Sequence, residues 1–354
     1  MRNLSRELVG LLVLLVALSG ESVVVVAQGG NVKPTPTPAK ADASAHAKTD
    51  APQAASKSEP VVLETRTGKL YGTLEMPLKE RAPYPVVLII SGSGPTDRNG
   101  NSAVIPGANN SLKYLAEGLA AAGIASLRYD KRGIAESVMA AKAESDLRFD
   151  MYIEDAVLWG RKLRDDRRFS RLVVAGHSEG SLIGMVAAQR LGAEGYVSIA
   201  GAGRRADVVI LEQMKAQLSP ELYAQTEAVL KSLVEGKTVA DAPAGLAALF
   251  RPSVQPYIIS WLKYDPAKEI AKLAVPVLVA QGTHDIQVSV EDAKLLAQAK
   301  PSARLLLVES MNHVLKEAPA DAKQQGAAYS DPSLPIAPKF LAEVVAFVNG
   351  VKKK

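Results

Sequence analysis

Six short runs, at residues 86–90, 124–127, 172–175, 196–200, 275–280 and 305–308, are nearly continuous in apolar and β-branched residues. Strands without a polar face must be covered on both sides, so these runs predict the inner strands of a sheet sandwiched between helices. Helix-period segments separate most of them, at 112–122, 150–164 and 290–298. Strand, helix and strand in succession predict right-handed crossovers and an α/β fold: a mostly parallel sheet flanked by helices. Residues 61–76 alternate instead, with Thr67-Gly68-Lys69 as a turn, and read as an antiparallel hairpin leading into the sheet. Phe340, Leu341, Val344, Val345 and Val348 share one face of a closing helix that Gly350 ends.

The run at 172–175 opens into Gly176-His177-Ser178-Glu179-Gly180 and then into helix-spaced apolar residues. G-x-S-x-G between strand and helix suits a nucleophile, because a sharp turn lifts the serine above the sheet edge and the glycines let backbones pass closely. Ser178 is the candidate nucleophile; the plainer reading is an ordinary strand-to-helix turn with a capping serine. A serine hydroxyl needs a base, and the chain has four histidines. His46 lies in low-complexity sequence, His177 adjoins the serine with its side chain expected to point away, and His284 directly precedes an aspartate at a strand end. His313, just past the run at 305–308, is the candidate base. Asp285, following the run at 275–280, is the candidate orienting acid, and the order Ser178, Asp285, His313 is the one this architecture requires. The competing roles are a helix cap for Asp285 and a surface role for His313.

The run at 86–90 leads into Ser91-Gly92-Ser93-Gly94-Pro95, a turn able to offer bare backbone N–H groups to an oxyanion. Ser93 and Glu179, the residue after the nucleophile, are the expected donors. A dinucleotide fingerprint is absent, since Gly94 is followed by Pro95-Thr96-Asp97. Between residues 203 and 265 the alternation gives way to helical patterns, with Ser219-Pro220 as one helix start and Gly236 as its stop. An insertion there lies over the strand C-termini and is expected to form a helical cap over the substrate pocket.

The chain begins with Arg2 and Arg6, an apolar block at 8–18 and the small residues Val25-Val26-Ala27, the order of an export signal cleaved after Ala27. The rival reading is an uncleaved anchor, opposed by Gly20-Glu21-Ser22, whose charge costs about 2.5–3.5 kcal/mol near a membrane helix centre. Export to a periplasm or the medium, with no stable membrane insertion afterwards, is the expectation. Residues 28–60 are rich in Pro, Ala and Lys and read as a disordered tether, leaving 61–351 for the folded domain. The formal charge is +5, but residues 31–60 carry four Lys against three acids and the tail adds Lys352-Lys353-Lys354. The folded body is therefore close to neutral and gives no case for nucleic-acid binding. There is no cysteine, so disulfides and lipid attachment at cysteine are excluded.

Taken with Tyr129-Asp130-Lys131-Arg132-Gly133, residues 282–288 and Asn312-His313, these motifs make residues 61–350 resemble the α/β-hydrolase fold family. Within it the chain is similar to the serine-aminopeptidase-like and lysophospholipase-like hydrolases. The resemblance implies hydrolysis of small-molecule carboxylic esters through an acyl-enzyme on Ser178, with no cofactor and no metal. A peptidase or amidase with the same residues, and a non-catalytic binding protein on the same fold, are the alternatives. Two departures stand out: the oxyanion turn begins Ser91-Gly92 where the family has His-Gly, and Ala135 replaces the second glycine of the loop after Tyr129. Asp130 and Arg132 read as ions bracing that loop.

Overall fold

The computed structural model describes residues 56–78, 82–215 and 217–353; the expected export signal and the part of the expected tether up to residue 55 lie outside them. Eight strands form one sheet: β1 (Ser56–Thr65), β2 (Gly68–Pro77), β3 (Tyr84–Ile90), β4 (Ala125–Tyr129), β5 (Phe169–His177), β6 (Gly195–Ile199), β7 (Val277–Gly282) and β8 (Arg304–Val308). Their order is β1-β2-β4-β3-β5-β6-β7-β8. The two pairings of β2 are antiparallel and the rest parallel.

Strand pleating sends alternate side chains to opposite faces, and both faces are buried. Val86, Leu88, Ile90, Leu172 and Val174 join one core, beneath α2 (Phe149–Asp165) and α3 (Glu179–Leu191). Val87, Ile89, Val173 and Ala175 join the other, which contains Leu115 and Leu119 of α1 (Ser111–Ala121) and Phe340 and Val344 of the closing helix, Pro338–Gly350. Full burial of such an aliphatic side chain stabilises by about 1.5–3 kcal/mol, which explains the absence of polar alternation in these strands.

Helices fill the connection between β6 and β7: α4 (Ala206–Lys215), α5 (Pro220–Val234), α6 (Ala247–Phe250), α7 (Gln255–Trp261) and α8 (Pro266–Ala271). Helix α5 starts at Ser219, whose side chain accepts from the Leu222 N–H. Further helices, α9 (Val290–Ala299) and α10 (Gly326–Ser330), precede the closing helix α11.

Two boundaries differ from the sequence reading. The tether was expected to run to Pro60, yet β1 begins at Ser56. Its first residues face a buried carboxylate and not an apolar core: the Ser56 and Ser58 hydroxyls each donate to Glu75 at 2.7 Å, and Glu75 pairs with Arg128 at 3.0 Å. A polar strand facing a polar partner carries no hydrophobic period, so composition alone assigned it to the tether. The hairpin turn is Arg66-Thr67, with Gly68 already in β2.

Beyond β4, Asp130 accepts from the Arg98 backbone N–H at 2.8 Å and pairs with its guanidinium at 2.6 Å, while Arg132 forks onto Asp155. In this braced loop Ala135 holds φ +44°, a conformation costly for a residue with a Cβ. Ala135→Gly should therefore stabilise the protein by about 1 kcal/mol, read as a higher urea midpoint at unchanged slope. A lower midpoint would mean that the alanine methyl contributes more packing than its backbone strain costs.

Candidate active site

The strand order reverses direction at β3, whose neighbours β4 and β5 continue the chain to opposite sides, and ligands of open α/β sheets bind where such strands end. Ile90 at the end of β3 pairs with Gly176 in β5, so the turn at Ser91-Gly92-Ser93 and the elbow at Ser178 emerge side by side. Ser178 has φ +55° and ψ −122°, outside helix and strand conformations. The crossing is so tight that a Cβ on Gly176 would lie 2.0 Å from the Gly180 carbonyl oxygen. A Cβ on Gly180 would lie 2.5 Å from the carbonyl oxygens of Ile90 and Ser91. Neither site has room for a side chain. The elbow is strained, and the packed strand and helix on either side hold it so.

Asp285 and His313 follow the C-terminal ends of β7 and β8, which pair in parallel as neighbours. Asp285 Oδ2 accepts from His313 Nδ1 at 2.8 Å and from Gln281 Nε2 at 2.9 Å; Oδ1 accepts from the backbone N–H groups of Gln287 and Val288 at 2.8 and 2.9 Å. Burial acts to raise the Asp285 pKa, but the histidine and these N–H donors outweigh it and hold the carboxyl below its ordinary value. An ionised Asp285 fixes the His313 proton on Nδ1 and leaves Nε2 with a free lone pair. Gln281, which also donates to the Val288 carbonyl at 2.9 Å, orients the carboxylate and was not singled out from the sequence. A glutamine inside an apolar strand is its only sequence signal.

His177 does not point away. Its ring is buried against that of His313, with centroids 4.8 Å apart, and its Nε2 lies 2.8 Å from the His313 carbonyl oxygen. The elbow turn directs this side chain under the neighbouring loop, where it supports the backbone of His313. Burial first, then His313, pushes the His177 pKa down to about 3. The ring is therefore neutral and its Nε2–H donates. His284 is turned elsewhere, with Nδ1 2.6 Å from the Ala318 carbonyl oxygen.

Ser178 Oγ and the backbone N–H groups of Ser93 and Glu179 have no hydrogen-bond partner among the described residues. Ser178 and Ser93 line two cavities, of about 550 and about 540 Å³ including space open to solvent. One runs beneath α4 and α7 and is mostly apolar, with Leu182, Val209, Ile210 and Trp261 in its wall. The other is mixed, with Thr96, Asn109, Gln287 and Tyr329 beside His177 and His313.

The Glu179 carboxylate is engaged in a buried cluster that the sequence reading missed. Lys131 Nζ lies 2.9 Å from Glu179 Oε2, with both side chains only 2% exposed, and also donates to the Gly92 carbonyl. Tyr257 of α7 donates its hydroxyl to Glu179 Oε1 at 2.6 Å. Burial raises the Tyr257 pKa well above the ordinary phenol value, so it remains a donor. Breaking such a pair on one side costs about 3–5 kcal/mol.

The neutral His177 predicts a particular acid sensitivity. Its folded pKa of about 3 lies below the ordinary value of 6.5, so below pH 6.5 the unfolded chain binds the extra proton. Stability is thus lost as pH falls from 6.5 towards 3. His177→Gln, which keeps a donor for the His313 carbonyl and titrates nothing, should remove that contribution. Between pH ~7 and pH ~4.5 the wild type should lose about 2–3 kcal/mol more than the variant in urea unfolding. Equal losses would show that His177 gains its proton without unfolding.

The family model for serine aminopeptidase, S33, matches residues 108–317. Esterase EstD of Thermotoga maritima is 30% identical over 251 residues, 70% of this chain; the chain spans 58% of the length of that curated relative. Among solved structures, an esterase of Pyrococcus furiosus superposes with TM-score 0.54 at 16% identity, over 83% of this chain and 91% of that one. Est1E from Butyrivibrio proteoclasticus gives TM-score 0.51 at 17% identity, over 72% and 90% of the two chains. The fold is that of the α/β hydrolases, and the chain belongs to the serine aminopeptidase S33 family.

Proposed function

We propose that the protein hydrolyses carboxylic esters of small molecules through an acyl-enzyme on Ser178. The observation that carries this reading is that an unpartnered serine hydroxyl, the Ser93 turn with its unpartnered N–H and the histidine of a buried aspartate–histidine pair border one cavity. His313 Nε2 accepts the Ser178 proton as Oγ attacks the ester carbonyl, and Asp285 stabilises the imidazolium through its 2.8 Å bond. The N–H groups of Ser93 and Glu179 receive the oxyanion. The imidazolium then protonates the departing alkoxide, and water repeats the cycle on the acyl-enzyme. In this structure Ser178 Oγ and His313 Nε2 are not hydrogen-bonded; such bonds often tighten only when substrate is bound.

Because the alcohol leaves from the side that holds His313, the mixed cavity is assigned to the alcohol. The apolar cavity beneath α4 and α7 is assigned to the acyl group. An aminopeptidase needs a carboxylate to hold the substrate ammonium. Glu179 is the sole acid in the walls of these two cavities, and its two oxygens already accept from Lys131 and Tyr257. That favours esters over aminoacyl amides. The similarity to EstD supports the same reading. Export rests on the order of charge, apolar block and small residues at 1–27, and a mature N-terminus at Gln28, read by mass spectrometry, would support it.

Three single variants and one double variant test the mechanism. Ser178→Ala and His313→Ala should each lower kcat by about 10⁴–10⁶, Asp285→Ala by somewhat less, and the Ser178→Ala, His313→Ala double change should add almost nothing. Additive losses would mean that serine and histidine do not share a proton transfer. On matched substrates, short acyl esters should exceed aminoacyl amides in kcat/KM. Amides ahead by about tenfold would reverse the assignment.

A further inference from the structure

The mechanism uses the backbone of Ser93 and Glu179 but leaves the Lys131 cluster without a role. Lys131 Nζ is held on the Gly92 carbonyl. That carbonyl and the Ser93 N–H belong to one peptide unit, which is trans, as the only cis bond among the described residues is Ala82-Pro83. In a trans peptide the C=O and N–H point in opposite directions, so a cation fixed on the oxygen fixes the direction of the N–H. Lys131 borders a separate cavity with Tyr152 and Tyr257, whereas Ser93 borders the two that contain Ser178. The ammonium therefore sits behind this peptide and the N–H has its opposite side. A positive charge on a carbonyl oxygen also polarises the peptide and strengthens its N–H as a donor in a buried site. The other donor comes from the same cluster, since the Glu179 carboxylate grips Lys131 while its own N–H opens the helix.

We propose that Lys131 is the positioning residue of the oxyanion site: it orients and polarises the Gly92–Ser93 peptide, and Glu179 and Tyr257 hold it in place. It takes the part that bracing of the turn's first residue would otherwise play, for Ser91 is a serine whose hydroxyl reaches only the Thr96 carbonyl, at 3.4 Å. The proposal rests on the assignment of Ser178 as nucleophile. The rival role is that of a plain counter-ion for Glu179.

Lys131→Met and the double change Lys131→Met, Glu179→Gln separate the two. The double change removes both charges and so leaves no unpaired ion to unfold the protein. If Lys131 acts on the peptide, both variants should lose about 10²-fold in kcat on a short acyl ester with KM within about threefold. Their affinity for a trifluoromethyl ketone, whose adduct on serine carries an oxyanion, should fall by the same factor as kcat/KM. The urea midpoint should recover in the double variant while kcat does not. Recovery of kcat in the double variant to within about threefold of wild type would reduce Lys131 to a counter-ion and overturn the proposal, as would a loss confined to KM. Ser178→Ala, assayed alongside, keeps the readings distinct. If it is as active as wild type, nucleophile and oxyanion site fall together. If it is inactive while Lys131→Met turns over normally, the role of Lys131 alone falls.

Discussion

A backbone crossing governs this site. The elbow carrying Ser178 closes so tightly that a Cβ on Gly176 would overlap the Gly180 carbonyl, and it passes the end of β3 so closely that one on Gly180 would overlap the carbonyl oxygens of Ile90 and Ser91. That closeness places the serine, the start of α3 and the turn after β3 in one small volume. The elbow can hold its positive φ because β5 lies between β3 and β6 and α3 is buried along most of its length. A few kcal/mol of local strain is small against the aliphatic burial on both faces of the sheet.

The charges around the crossing divide the labour. Arg98 with Asp130, and Arg132 with Asp155, tie down the loop after β4. Between those two ion pairs in sequence, Lys131 instead turns inward to Glu179 and the Gly92 carbonyl. Tyr257 brings α7, whose neighbouring Trp261 lines the apolar cavity, onto the same carboxylate. Packing of the helices between β6 and β7 is thereby linked by a single hydrogen bond to the residue after Ser178.

The inner strands were legible because burial on both faces forbids polar alternation. Ser178, Asp285 and His313 were legible as positions because each follows a recognisable strand in a fixed chain order. Strand β1 was partly hidden, since Ser56 and Ser58 answer a buried Glu75 and no apolar periodicity results. Lys131, Tyr257 and Gln281 were hidden for a related reason: a buried polar group is defined by its partner, and the partners lie in other elements. His177 was misread because the turn was treated as an isolated bend, whereas the loop carrying His313 folds over it.

The central claim, that Ser178 becomes acylated, is best tested on the bond itself. Incubation of the full chain with an activated short-chain aryl ester, acid quenching within the first turnovers and peptide mapping by mass spectrometry would locate any acyl group. The account predicts one acyl group per chain, on the peptide that contains Ser178, absent from Ser178→Ala. Ester turnover with no covalent adduct, or an adduct on another residue that persists in Ser178→Ala, would contradict it.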